Sequence, residues 1–457
     1  MKRFTLVSCA SVIVALCLAA ALRGGPKTAG PTAVTGNPAT RPMGKLVVHE
    51  WGTFTGFAGS DGVHLPFNTV IGSDLPPFVM NRLKHAAGTD PKLAGLAQLV
   101  FAKAGGAAAL QRMETPVMYF YADAPGDVLV RVDFPGGLLT EFFPPVRSIG
   151  PRYGTAYGEL SISKQTPPAA LPKTAPSATE PGTDSFLDWG RVRIVPHPSG
   201  NDGKVMPAVA TTSQYRFARE TDSALIQFAD AHGEKHQEKF LFYRGLGNFK
   251  LPVTITARGA DRFELHNAGT SPVACAFLIQ VNADGRTQSR FARFDNLTGD
   301  QQLTLPQPSP AQDNLAEAIT SSLVGSGLYE KEARAMVATW KSSWLNEPGT
   351  RVLYIVPRQV TDALLPLTVA PEPDETVRVL VGRIDVLTPE QEARLRSMMM
   401  AAGANTILSE DDVRMLKALG RFLVPALERV SQLAGDSAHQ QLEYLQEALW
   451  RSGANRK

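Results

Sequence analysis

Two hydrophobic periods divide the chain. Up to about residue 305, short apolar runs of β-branched and aromatic residues recur, bounded by Gly, Pro, Asn and Asp clusters; beyond residue 314, apolar residues recur at helical spacing. The first strand is Leu46 to Thr55, reading Leu-Val-Val-His-Glu-Trp-Gly-Thr-Phe-Thr. A helical stretch from about Pro77 to Ala109 follows, broken by Gly88, Pro91 and Gly105-Gly106. Val117–Tyr121 is a strand. Val128–Phe134 alternates, turns at Pro135-Gly136-Gly137 and returns as Leu138–Phe143, the pattern of a hairpin in an antiparallel sheet. Strands at Gly190–Val195, Lys239–Arg244, Leu251–Ala257, Arg262–His266 and Val273–Val281 continue the series at a spacing that suggests an antiparallel sandwich.

The later part reads differently. Helices are expected at Asn314–Gly325 and Tyr329–Asn346, the second stopped by Pro348-Gly349 and carrying Leu328, Ala335, Met336, Trp340 and Trp344 largely on one face. Strands return at Arg351–Val356 and Val377–Val386. Thr388-Pro389-Glu390-Gln391 has the N-cap, first-turn proline and third-position amide of a helix start. Ser409 with Asp412 repeats the signature, opening a long helix to about Leu433, and a last helix spans Ala438 to Arg451. The fold class expected is α+β: antiparallel, sandwich-like β-rich N-terminal and central parts with a helical C-terminal third. The segments are a signal peptide (1–22), a disordered tether (23–44), a β-rich N-terminal domain with a helical insertion (45–164), a linker or long loop (165–185), an antiparallel sandwich-like domain (186–308), and a mainly helical region with two strands at 351–386 (309–457).

Export is read from the first residues. Lys2 and Arg3 precede an apolar run from Phe4 to Leu22 that contains the small residues Ala19-Ala20-Ala21, a secretory pattern. An uncleaved anchor is the alternative, and lipidation at Cys9 a lesser one, since the apolar core follows that cysteine rather than preceding it. The expected location is periplasmic or extracellular, with membrane contact only through the signal segment if it is not cleaved. Removal of that segment leaves Cys275, which has no partner for an internal disulfide and reads as a buried thiol. The chain has 46 Lys+Arg against 43 Asp+Glu and no basic run, so nucleic-acid binding through phosphates has no electrostatic support.

Standard catalytic signatures are absent. There is no Gly-x-Ser-x-Gly elbow, no two-histidine zinc helix after His49-Glu50, no phosphate loop, and Gly245-Leu246-Gly247 lacks the rest of a dinucleotide site. Four residues remain as candidates. His49 could be a metal ligand or general base and Glu50 a general acid; on a strand they point to opposite faces. Glu114 and Glu141, with Asp133, lie around the 117–143 strands, where two carboxylates across a cleft would suit a hydrolase; charges on a solvated face are the alternative. His232 and His236, four apart, fit a solvated turn better than a zinc site. The Glu238–Gly247 run could line a sugar or peptide pocket, or pack a core.

Several strings together resemble a family of exported bacterial proteins of uncharacterised activity. They are Val48–Thr55 with its His-Glu-Trp-Gly-Thr-Phe-Thr core, Arg112–Tyr121, Glu238–Gly247, Trp340–Trp344, Arg351–Pro357 and Val377–Arg383. The resemblance implies an exported protein; it carries over no activity, cofactor or catalytic residue. The functional expectation is a binding or assembly module of the cell envelope recognising carbohydrate or protein. The alternatives are an envelope hydrolase, metal-assisted through His49 or using carboxylates, and a scaffold docking partners through the C-terminal helices.

Overall fold

Every residue of β1 (Leu46–Ala58) is buried. A strand covered on both faces must sit inside a layered fold, and its sequence explains how: Val48 and Phe54 supply one face and Trp51 the other. The structure, a computed structural model, describes residues 43–68, 75–81, 108–150, 185–196, 206–229, 235–282, 289–307, 314–435 and 438–452. The signal segment, His232 and nearly all of the tether, helical stretch and linker expected from sequence lie outside the described residues.

After β1 come β2 (Phe67–Asn68), β3 (Met80–Asn81), β4 (Ala108–Ala109), β5 (Gln111–Ala122), β6 (Gly126–Asp133), β7 (Gly137–Phe143) and β8 (Ser148–Gly150). The middle of the chain forms β9 (Phe186–Val195), β10 (Leu225–Ala229), β11 (Lys235–Glu238), β12 (Leu241–Gly247), β13 (Val253–Ala257), β14 (Arg262–Asn267), β15 (Val273–Val281), β16 (Arg290–Leu297) and β17 (Gly299–Thr304). Then follow α1 (Leu315–Gly325), α2 (Glu330–Lys341), β18 (Gly349–Ile355), α3 (Arg358–Leu364), β19 (Leu367–Ala370) and β20 (Glu375–Val386). The last helices are α4 (Pro389–Met400), α5 (Glu410–Ala418), α6 (Leu423–Ala434) and α7 (His439–Arg451).

The fold is α+β. Its main sheet has nine strands in the order β16-β15-β18-β20-β1-β5-β12-β7-β3. One face packs on a six-stranded sheet, through Val128, Val130, Leu187 and Trp189, and on a three-stranded sheet, through Val253, Ile255, Phe263 and Leu265. The opposite face is covered by α1, α2 and the turn after α2, through Leu323, Ala333, Met336, Trp340 and Trp344. Helices α4 to α7 form a third apolar cluster with Phe57, Phe67 and Leu387. The segments expected as separate domains do not form separate sheets: the main sheet takes strands from all three. At its centre β1 pairs in parallel with β20, more than 300 residues downstream, and in antiparallel fashion with β5.

Two expectations fail locally. Residues 126–143 do not make a hairpin: β6 joins β9 and β19 in the six-stranded sheet, whereas β7 joins β12 and β3 in the main sheet. β6 alternates buried and half-buried residues, while β7 is nearly all buried, so the two strands need different surroundings. Asp133 consequently pairs with Arg131 in its own strand. The helix expected from Ser409 to Leu433 breaks at Gly420, whose φ of +50° belongs to the left-handed region.

Candidate functional site

The main sheet carries a band of charged and hydroxyl side chains across its helix-covered face. The register shows how six adjacent strands build it. Arg351 of β18 is opposite Asp385 of β20, Arg383 of β20 is opposite Thr55 of β1, and Thr55 is opposite Arg112 of β5. Glu114 of β5 stands opposite Thr53, and Arg244 of β12 opposite Glu141 of β7. Trp51, Val379 and Val381 lie two or four residues earlier on the same face and belong to the apolar core under the helices. A single sheet face thus changes from apolar to charged along its strands.

Two bulges set the band's geometry. Pro116 cannot donate to a ladder, and the pairing of β5 slips beside it against both β1 and β12. Thr115 takes a left-handed φ of 54° there. Gly52 lets the neighbouring strand through: a Cβ at this position would stand 2.9 Å from Pro116 Cα. A second slip, between Arg244 and Gly245 of β12 against β7, leaves Thr140 as the extra residue beside Glu141.

Glu114 is the centre of the band's ion pairing. Its Oε2 accepts from the Thr55 hydroxyl at 2.6 Å, and its Oε1 accepts from Arg421 Nη1 at 2.8 Å with Arg112 Nε at 3.3 Å. Burial alone would raise the Glu114 pKa; Arg421 and Arg112 overcome it and hold the carboxyl well below the ordinary carboxylate range. Asp385 repeats the arrangement, with Arg351 at 3.0 Å on Oδ1 and Arg383 at 2.5 Å on Oδ2, and its pKa is likewise depressed by these two guanidiniums against the effect of burial. Arg383 also donates to Glu347 at 2.8 Å, while its Nη1 is buried with no partner among the described residues.

The lid over the band comes from interrupted helices. α2 ends in a π-helical turn, Ser342–Asn346, whose carbonyls at Ser343 and Trp344 receive Arg351 Nη1. The chain breaks at Gly420 after α5, and Arg421, the next residue, lies against Glu114. Between lid and band lies a cavity of about 750 Å³. Arg112, Glu114, Glu347 and Arg421 form its charged wall; Ser213, Gln214, Ser342 and Trp340 add hydroxyls, an amide and an indole. The indole Nε1 of Trp340 is a buried donor without a partner among the described residues.

The four residues singled out from sequence divide between three places. His49 faces the helices: its Nδ1 lies 2.7 Å from Glu332, which also accepts from Tyr121 OH at 2.8 Å and from the Tyr329 backbone N–H at 2.8 Å. Glu50 points to the other side of the sheet, where Tyr243 donates to Oε1 and Arg378 to Oε2 at 2.6 Å. The two do not converge on one pocket, as a hydrolase built on them would need. Glu114 is in the cavity wall. Glu141 lies in the band across from Arg244, acts with Glu114 on the charge of Arg112, and accepts from Asn81 at 3.3 Å. Among the described residues no group of three or more His, Cys, Asp or Glu is placed to hold a metal ion.

Arg112, Arg351, Arg383, Asp385 and Arg421 were not singled out from sequence. Arg383 and Asp385 had a signal: charged residues inside an otherwise apolar strand run, Val379-Leu380-Val381-Gly382-Arg383-Ile384-Asp385-Val386. A buried charge needs a partner, so such interruptions mark either a network or a site. Arg421 gave none, because it sits in what reads as an ordinary amphipathic helix. Cys275 is buried beside Ser322, at 3.5 Å, with its thiol pKa pushed up by burial, as an unreactive thiol should be. Comparison with protein-family models and with curated proteins found no match to the chain.

Proposed function

We propose that this chain is an exported binding protein of the cell envelope whose cavity receives a carbohydrate. The observation that carries the reading is the composition of the cavity wall. Planar guanidinium and carboxylate groups, hydroxyls from Ser213 and Ser342, and the Trp340 ring surround one space of about 750 Å³. Sugars present ring faces and dense hydroxyl groups, which suit a few placed polar groups beside an aromatic surface. The polar groups are held in place before any ligand arrives, because each carboxylate is fixed by guanidiniums. Export is supported by the cationic and apolar opening of the sequence and by the resemblance carried by Val48–Thr55.

Binding is preferred to hydrolysis because the cavity's buried acid is kept ionised. An acid–base pair of carboxyls needs one member protonated near neutral pH, and Arg112 and Arg421 work against that at Glu114. A glycan array probed with the mature protein tests the proposal. Retention of a defined group of glycans, lost on Arg421→Gln in a folded variant, is the expected result; an array on which nothing is retained would remove it.

The scaffold reading has one observation in its favour. Trp450 and Ile407 are 70% and 93% exposed, and Arg451 ties α7 to the 404–406 segment through the carbonyls of Ala404 and Thr406. Photo-crosslinking from position 450 in intact cells that captures no protein would dispose of it.

A further inference from the structure

Resting on the carbohydrate reading, we infer that the sugar bound in this cavity carries a carboxylate, as a uronic acid does, and that Arg112 and Arg421 receive it. The argument is one of charge arranged around the cavity. Arg112 and Arg421 share a single carboxylate oxygen, Oε1 of Glu114, whose other oxygen is occupied by Thr55. Among the described residues two guanidiniums thus share one carboxylate, an excess of one positive charge in this group. Both side chains keep some surface, 12% for Arg112 and 15% for Arg421, so their remaining N–H groups are within reach of an entering group.

The rest of the band does not cancel this charge. Asp385 is likewise shared between Arg351 and Arg383, and Glu347, the other acid of the cavity wall, is bound by Arg383. Across the band, among the described residues, the five guanidiniums of Arg112, Arg244, Arg351, Arg383 and Arg421 face the four carboxylates of Glu114, Glu141, Glu347 and Asp385. Crowding of this kind is unfavourable in a partly dehydrated wall: burial and the neighbouring Arg244 and Arg421 all work against the charge on Arg112. An anion entering beside Arg112 and Arg421 relieves it, and a planar carboxylate matches the guanidinium fork in two parallel hydrogen bonds. The Ser342 hydroxyl oxygen accepts from Gln214 at 2.7 Å and that of Ser213 from the Tyr215 N–H at 3.3 Å, which leaves each O–H to donate to a sugar hydroxyl.

Isothermal titration of the full mature protein tests the inference. The probes are oligogalacturonate, oligoalginate and a glucuronate-bearing oligosaccharide, each beside its carboxyl-reduced neutral counterpart, and a sulfated galactan oligosaccharide. The expected result is binding of at least one uronate, weakened tenfold or more by carboxyl reduction and by Arg421→Gln. Arg421→Lys should recover part of that loss, and Arg258→Gln, at an exposed ion pair remote from the band, should change nothing. Circular dichroism and melting temperature establish that each variant is folded. Neutral oligosaccharides binding as tightly as acidic ones, or full uronate affinity in folded Arg421→Gln, overturns the carboxylate while leaving a carbohydrate-binding protein. Binding of the sulfated probe and of no uronate also overturns it. No binding of any probe, acidic or neutral, defeats both readings together.

Discussion

Glu114 is the shared partner of three groups in a partly dehydrated wall: Thr55, Arg112 and Arg421. Removing one member of a buried pair costs more than the pair itself contributes, because the remaining charge loses its compensation. Glu114→Gln should therefore lower stability by about 3–5 kcal/mol, measured by urea denaturation at neutral pH; a change below about 1 kcal/mol would contradict the shared-carboxylate arrangement. Glu50→Gln should cost a similar amount through Arg378 and Tyr243, yet leave sugar affinity unchanged, since it faces the opposite side of the sheet. His64 gives a pH signature of its own. Burial, with a smaller contribution from Lys250, lowers its pKa to about 4, and neither ring nitrogen has a partner among the described residues. The neutral ring is favoured in the folded state, so the contribution is complete above the unfolded pKa near 6.5 and is lost as pH falls toward 4, amounting to about 3 kcal/mol. His64→Gln should flatten the stability profile between pH 6.5 and 4; an unchanged slope in that variant would assign the acid sensitivity elsewhere. Below that window the depressed carboxyls of Glu114 and Asp385 contribute in the same direction, their stabilisation present above ordinary carboxylate pKa values and lost in stronger acid.

Among the elements, the ones with clear local chemistry were legible and the ones decided by distant partners were not. Thr388 caps α4 and Ser409 caps α5 by accepting from the third-position backbone N–H, as their sequences state. The apolar face of Trp340 and Trp344 packs on the sheet as its spacing implies. The apparent hairpin at 128–143 misled because alternation identifies a strand and not its neighbour, and here each strand completes a different sheet. The single long helix misled because one glycine inside a helical pattern is usually tolerated; at Gly420 it instead adopts a left-handed conformation that turns Arg421 into the cavity wall. Gly420→Ala should therefore cost about 1–2 kcal/mol and weaken ligand binding as well. A stabilised variant with unaltered affinity would mean that the break is incidental to the site.

On the scale of the whole molecule, sequence order conceals the connectivity. The central strand of the main sheet pairs with residues 375–386, and strands from the middle of the chain, β15 and β16 on one side and β12 on the other, lie beyond that pair. A chain ending at residue 308 would lose β18 and β20, exposing one edge of a fully buried strand, and should not reach a cooperative folded state by calorimetry. A sharp melting transition from residues 45–308 alone would show that they fold on their own. The same interleaving assembles the cavity, because β5, the end of α2 and the break between α5 and α6 meet only when both ends of the sheet are in place. Among the described residues no helix is long and apolar enough to cross a membrane. The most direct test of the account is hydrogen–deuterium exchange of the mature protein with and without an oligogalacturonate or other glycan retained on the array. The account predicts added protection in three separate stretches, around Arg112, around Ser342–Asn346 and around Gly420–Arg421. Protection confined to other surfaces, with these three unchanged, would contradict it.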